Sequence, residues 1–331
     1  MRRALITGIT GQDGSYLTEL LLDKGYEVHG LIRPATDLSQ SRIAGLCAEA
    51  SVYSRRLFLH PADLATRAGL RELVGGVRPT ELYHLASQSH VGLSHRDPEG
   101  TCEVVAMGTL RVLEAARALG GTVRVFNAAS SEVFGGATQS PQDEDTPLAP
   151  VNPYGCAKAF ALQAARTYRR SYGLHVCNGI LYNHESPRRG GDFVVQKICR
   201  AAAAIRLGIE QELVLGDTGV ERDWGHARDY VEVMWLTLQP EVADDYVIAT
   251  GRVRPLQEVV ELAFATVGLD WRDRVRHDPD FKRPVEPGRL CGDARRARER
   301  LGWAPRTGFE EMIREMVNAH LGRLAPPCAP A

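Results

Sequence analysis

The stretch TGITGQDGS at residues 7–15 restricts the fold more than any other part of the chain. It sets Gly8, Gly11 and Gly14 in a G-x-x-G-x-x-G pattern directly after RALIT (3–7), a short apolar run that reads as a buried strand. Glycines at such a place allow a tight turn and close backbone approach, and the helix they open offers unpaired N–H groups to a pyrophosphate. A first βαβ unit of a dinucleotide-binding fold has this requirement. The bland alternative is a turn that serves structure alone.

The rhythm continues for about 180 residues. YEVHGLI (26–32), LYHLA (82–86), TVRVFNA (122–128) and HVCNGILY (175–182) have the length and boundaries of buried strands. Between them SYLTELLLDKG (15–25), TLRVLEAARAL (109–119) and the segment 154–171 space their apolar residues along one helix face. Alternating strands and helices imply an α/β protein: a Rossmann-type, doubly wound parallel sheet covered on both faces. From about 183 the chain turns to polar motifs (NHESPRRGG, LGDTGVERDWG, PDFKRPVEPGR), which read as turns and short elements of a smaller, discontinuous α/β substrate lobe. A helix near 226–239 and the strand DYVIAT (245–250) are expected back on the main sheet. The expected division is therefore 1–182 with about 226–250 for the dinucleotide domain, and about 183–225 with 251–331 for the lobe. The alanine- and proline-rich tail after 321 reads as frayed.

Forty basic and 41 acidic residues nearly cancel, so no general field gathers nucleic acid or anionic membrane. No apolar run is long enough to span a bilayer, and MRRALITGITG lacks the core of a signal peptide. Seven cysteines, widely spaced and without a CxxC pair, fit reduced thiols in a cytoplasm better than disulfides or a zinc ribbon. HESPR is not an HExxH motif, and no metal is expected.

The chemistry concentrates in NPYGCAKAF (152–160) and NAASSEVFGG (127–136). Tyr154 and Lys158, at i and i+4, share a helix face, and the lysine is one of only four in the chain. A tyrosine ordinarily titrates at about 10; a neighbouring cation favours the phenolate, which can take a proton from a sugar hydroxyl. Ser130 or Ser131, at the end of the preceding strand, can hydrogen-bond that hydroxyl. Glu132 asks for more than an alcohol oxidation: removing a proton beside a new ketone and expelling a hydroxyl needs a base and an acid. At the end of the second strand, where an acid would hold the ribose of NAD, the chain has Arg33, which favours the 2′-phosphate of NADP. Asp37 is the competing group and would serve a ribose. Asp63, after a third strand, can meet an adenine or cap a helix.

TGITGQDGSYL, YEVHG, QSHVG, YGCAK, CNGILYNHESPRRG, RDWGHARDYVE and LGWAPRT together resemble the extended short-chain dehydrogenase/reductase superfamily, and within it the GDP-mannose 4,6-dehydratase group, over approximately 3–320. The resemblance implies an internal redox cycle on bound NADP: oxidation at C4 of the sugar nucleotide, loss of water across C5 and C6, and reduction at C6. It assigns catalysis to Ser130, Glu132, Tyr154 and Lys158, with Ser130 standing where the family usually has threonine. Cofactor contacts carried over are Gly8, Thr10, Gly11, Gln12, Asp13, Gly14, Arg33, Asp63, Leu64, Leu85, Ala86, Ser87, Ser89, His184 and Arg189, with Tyr154 and Lys158. Ser89, Ser131, Asn183, Lys197, Arg222, Arg283 and Glu286 match positions that hold the substrate. Relatives form dimers and tetramers. Three departures stand out: Arg33-Pro34 replaces paired arginines, RPVEPG (283–288) replaces an RPAEVD-like run, and Gly100 replaces a tyrosine. The competing readings are an epimerase or reductase acting on another sugar nucleotide, and a non-catalytic NADP-binding regulator; the latter is expected to lose part of the Ser/Glu/Tyr/Lys set that this chain retains.

Overall fold

The computed structural model describes residues 1–66, 69–278 and 287–325. Its strands are β1 (Arg3–Thr7), β2 (Glu27–Ile32), β3 (Leu57–Pro61), β4 (Glu81–His84), β5 (Arg124–Ser130) and β6 (Val176–Leu181). There follow β7 (Asn183–Glu185), β8 (Leu213–Leu215), β9 (Glu221–His226), β10 (Asp245–Ile248), β11 (Val253–Pro255) and β12 (Val275–His277). Seven of them form one sheet in the order β10-β6-β5-β4-β1-β2-β3, every pair parallel. β4, β6 and β10 are buried at every residue, as parallel strands with both faces covered must be.

One face packs on the helices Gln12–Asp23 and Ala227–Leu236 through Leu17, Leu21, Tyr230 and Met234. The other packs on Leu70–Val77, Gly108–Arg117 and Pro153–Tyr172 through Val74, Val112, Leu113 and Ala165. Strand order reverses between β1 and β4, so a crevice opens at the carboxyl ends of these strands, the usual ligand site of an open α/β sheet.

The strand DYVIAT does return to the main sheet, as β10 beside β6. The first helix starts at Gln12, three residues before the expected start, because Gly11 in an extended conformation serves as its N-cap. The region after 183 is a larger departure. Beside short elements it contains the helices Val194–Arg206, Leu256–Thr266 and Phe309–Leu324, packed around Ile198, Val260, Phe264, Ile313 and Met316. NHESPRRGG and LGDTGVERDWG carry the short strands β7 and β9, most of PDFKRPVEPGR lies outside the described residues, and the apolar faces of the helices meet one another and Leu213, Leu215 and Trp224 of β8 and β9. The last helix runs to Leu324, past the expected onset of fraying; residues 326–331 lie outside the described residues. A small sheet β11-β9-β7 and the pair β12-β8 complete this region. Among the described residues no helix is long and apolar enough to cross a membrane.

Candidate active site

The glycine-rich turn folds as its spacing demands. Gly8 adopts φ +75°, and a Cβ there would stand 2.8 Å from the Ala86 nitrogen on the turn after β4. A Cβ on Gly14 would press into the Gly8 carbonyl and lie 2.7 Å from the Ile9 Cα. The glycines thus let the first turn pack directly on backbone at a helix N-terminus, whose free N–H groups suit a dinucleotide pyrophosphate. Leu85 and Ala86 lie against the turn, and their N–H groups donate to the Thr7 hydroxyl at 3.1 Å each.

That hydroxyl belongs to a chain of hydrogen bonds the sequence did not disclose. Thr109 donates to the Val105 carbonyl at 2.6 Å and therefore accepts from His84 Nε2 at 3.1 Å; Thr7 in turn donates to His84 Nδ1 at 2.8 Å. The network requires a neutral imidazole. Burial, and then the charge of Lys158, holds His84 down at about 3.

Asp13 and Gln12 face the opposite wall. Asp13 Oδ2 meets His184 Nε2 at 2.9 Å, and His184 Nδ1 donates to the Tyr182 carbonyl at 2.8 Å, so both ring nitrogens donate and the ring is an imidazolium. Burial opposes that charge, but Asp13 outweighs it and raises the His184 value; against the same burial, His184 first and Gln12 after it lower that of Asp13. The ring lies on Tyr230 with centroids 4.6 Å apart. The Gln12 amide donates to the His184 carbonyl at 3.2 Å and accepts from Ser186 at 2.8 Å. Arg189 sits over the Phe193 ring at 3.5 Å and 3.2 Å from buried Glu185.

β5 and the helix Pro153–Tyr172 bring the catalytic candidates together. Ser130 ends β5 and accepts from the Glu132 N–H at 3.3 Å; Ser131 and Glu132 begin a buried 3-10 turn. Tyr154 is buried, and burial pushes its phenol up to about 12; Ser130 works against that shift, and Glu132 adds to it. Lys158 Nζ donates to the Ala128 carbonyl at 2.6 Å and lies 5.8 Å from the centre of the Tyr154 ring. Burial lowers Lys158 to about 8. Burial is the largest influence on the phenol, and Arg189 is the cation that opposes it.

Arg33 is exposed just beyond β2, its carbonyl accepting from Thr36. Asp37 caps a 3-10 turn through Ser39 at 2.9 and 2.7 Å, and Asp63 accepts from the Ala65 N–H at 2.9 Å in a local turn that opens no helix. Leu64 is buried, and Ser87 and Ser89 follow β4. Arg42, not anticipated, donates to the Thr10 carbonyl of the glycine-rich turn at 3.2 Å. Burial, and then repulsion from Arg189, Arg323 and Arg188, lowers its value.

The remaining candidates belong to the second region. Asn183 opens β7, Lys197 donates to the Val214 carbonyl at 2.8 Å, and buried Arg222 donates to the Glu221 carbonyl at 2.7 Å. Arg283 and Glu286 lie outside the described residues. Two further residues hold the segment around residues 289–292 in place. Gln142 donates to the Arg289 carbonyl at 3.0 Å and accepts from the Cys291 N–H at 3.0 Å and Tyr182 at 2.8 Å. Asp223 accepts from Thr250 N and Oγ1, Gly251 N and Gly292 N at 2.6–3.3 Å. Gly288 N–H reaches the Gly135 carbonyl at 2.7 Å, three residues beyond Glu132.

A doubly wound sheet, a glycine cradle at its switch point and a Tyr-x-x-x-Lys pair beside a strand-end serine define an extended short-chain dehydrogenase/reductase. The family model for GDP-mannose 4,6 dehydratase matches residues 5–316, and the chain belongs to that family. It is 49% identical over 323 residues to GDP-mannose 4,6 dehydratase 2 of Arabidopsis thaliana, covering 96% of this chain and 86% of the relative. It is 43% identical over 336 residues to the Homo sapiens GDP-mannose 4,6 dehydratase, covering 96% and 90%. In structure it is similar to a dTDP-glucose 4,6-dehydratase from Streptomyces venezuelae solved with NAD bound: TM-score 0.83, 26% identity, 96% of each chain covered.

Proposed function

We propose that the protein removes water from GDP-mannose to give GDP-4-keto-6-deoxymannose, with its sheet holding a nicotinamide dinucleotide and its second region holding the sugar nucleotide. The observation that carries this reading is Glu132, a buried carboxylate on the turn that follows Ser130, close enough to Tyr154 for its charge to act on the phenol. The dinucleotide, when bound, supplies hydride chemistry, accepting from C4 and returning to C6. The chain's own residues move the protons. Tyr154, with Ser130 against it, exchanges the O4 proton, and Arg189 is the cation that favours its phenolate. Glu132 takes the C5 proton as the C5–H pair becomes the C5–C6 double bond, and that proton leaves with the C6 hydroxyl as water; when the hydride returns to C6, C5 takes up a proton equivalent to the one that left O4.

The cofactor in this reading is NADP. Arg33 stands exposed at the end of β2, and Arg42, crowded by three arginines beside the Thr10 carbonyl, gains from any anion placed there. The assembly is a homodimer or homotetramer, for which the exposed Phe160 and Cys156 on the outer face of Pro153–Tyr172 offer an apolar surface. The six described cysteines, all free, suit a reducing cytoplasm.

The test is mass spectrometry of purified protein incubated with GDP-mannose and no added cofactor. The wild type is expected to convert the sugar nucleotide to a species lighter by one water. Glu132→Gln is expected to slow that loss by about 10²- to 10⁴-fold with bound dinucleotide retained. Wild-type protein carrying NADP but leaving GDP-mannose intact would refute the reading.

A further inference from the structure

Among the described residues one side chain is hydrogen-bonded to the Glu132 carboxyl, and it also begins the catalytic helix. Asn152 is the N-cap of Pro153–Tyr172, with extended φ −143° and ψ 161°. Its amide bridges two partners: Nδ2 donates to Glu132 Oε2 at 2.7 Å, and Oδ1 accepts from the Gly155 N–H at 2.8 Å. Chemistry fixes the amide's orientation, because a backbone N–H can only donate and an ionised carboxylate can only accept. Asn152 itself is buried, so water does not compete for either bond. The first turn of the helix is pressed onto the same residue: a Cβ on Gly155 would lie 2.6 Å from the Glu132 carbonyl oxygen.

We propose that Asn152 is the positioning residue for the elimination base: it holds Glu132 aimed, in fixed register with Tyr154 and Lys158 on the helix it caps. An N–H donor at 2.7 Å fixes the rotamer of the carboxyl and decides which of its oxygens is turned away from the helix. With Oε2 engaged, Oε1 is left to exchange the C5 proton. Of the titratable groups on the packed elements, Tyr154 feels the charge of Glu132, Lys158 is turned to the Ala128 carbonyl, and Arg189 acts on Tyr154 from the β7 side. None of these replaces the amide as a neutral donor to Oε2.

The catalytic part of this inference rests on the proposed dehydration, so one of its two readouts needs no substrate. Asn152→Asp keeps a good cap, and Asn152→Ser keeps a shorter one, so both variants are expected to fold with near-wild-type melting temperatures. Carbon-13 NMR of glutamate carboxyls, with the Glu132 signal assigned by its absence in Glu132→Gln, follows its titration directly. Replacing the donor by a second carboxylate in Asn152→Asp is expected to raise the Glu132 midpoint by at least one pH unit. An unchanged midpoint overturns the proposal. In turnover, the acid limb of the water-loss profile is expected to move up by the same amount, with kcat at neutral pH reduced about tenfold or more and KM unchanged in both variants. A shifted midpoint with an unshifted acid limb also overturns it, because the bond would then be structural only. If even wild-type protein releases no water, the dehydration reading fails, and the NMR result alone decides whether Asn152 controls Glu132.

Discussion

The dinucleotide edge of the sheet and the seam around residues 287–293 are built by opposite means. At the edge, backbone meets backbone: Gly8 and Gly14 bring the first turn against Ala86 and Ile9 at distances no side chain tolerates, and all the parts lie close to strand ends. At the seam, side chains reach across the chain. Gln142 binds residues 147 and 149 positions away, and Asp223 binds one 69 positions away. A site made by close approach is rigid and legible in local spacing. A site made by long-range hydrogen bonds is adjustable, and in the proposed function this is the side that recognises the sugar nucleotide.

Breaking the edge has the largest expected effect. Gly14→Ala forces a methyl against the Gly8 carbonyl and Ile9, and is expected to cost about 3 kcal/mol or more and to release bound dinucleotide. Chemical denaturation and the absorbance of retained cofactor check both outcomes. Asp223→Asn breaks the seam instead. Its amide nitrogen must face N–H groups that the carboxylate now accepts, for a loss of about 1–3 kcal/mol. The dinucleotide is expected to stay bound while KM for GDP-mannose rises about tenfold, and equal losses on both sides would erase the distinction.

The smallest effect comes from the ion pair that joins the two. His184 is raised above its ordinary value, so its contribution is full below about pH 6.5 and is lost as pH rises through the raised value. Asp13 is lowered, so its contribution holds above about pH 4 and is lost as pH falls through the lowered value. Wild-type protein is therefore expected to exceed Asp13→Asn in stability by on the order of 1 kcal/mol near pH 6, with the gap narrowing at higher pH. Melting curves of the two proteins from pH 5 to 9 measure it.

These contrasts explain what could be read in advance. The glycine turn, the Tyr154–Lys158 pair and the strand-end Ser130 and Glu132 were legible because their chemistry depends on spacings of a few residues. The three helices after 183 were not, since the conspicuous motifs of that region fall on short strands and turns, while the apolar faces of the helices pack on one another and on β8 and β9. Asn152 reads in sequence as an ordinary cap before Pro153; that its second bond reaches Glu132 emerges only once β5 and the helix lie side by side. Gln142 left no local signal, and Asp223 stood in the conspicuous RDWG motif without its long-range partner being readable there. The height of the Tyr154 value follows from burial, which a one-dimensional reading of a neighbouring lysine does not weigh.

The central claim is that one bound dinucleotide carries hydride within a single sugar. Turnover of GDP-mannose deuterated at C4, in ordinary water with no added cofactor, tests it most directly. The account predicts deuterium at C6 of the 4-keto-6-deoxy product, with the label retained through the reaction. Deuterium lost to water, or still at C4 of an unchanged or epimerised sugar, would contradict it.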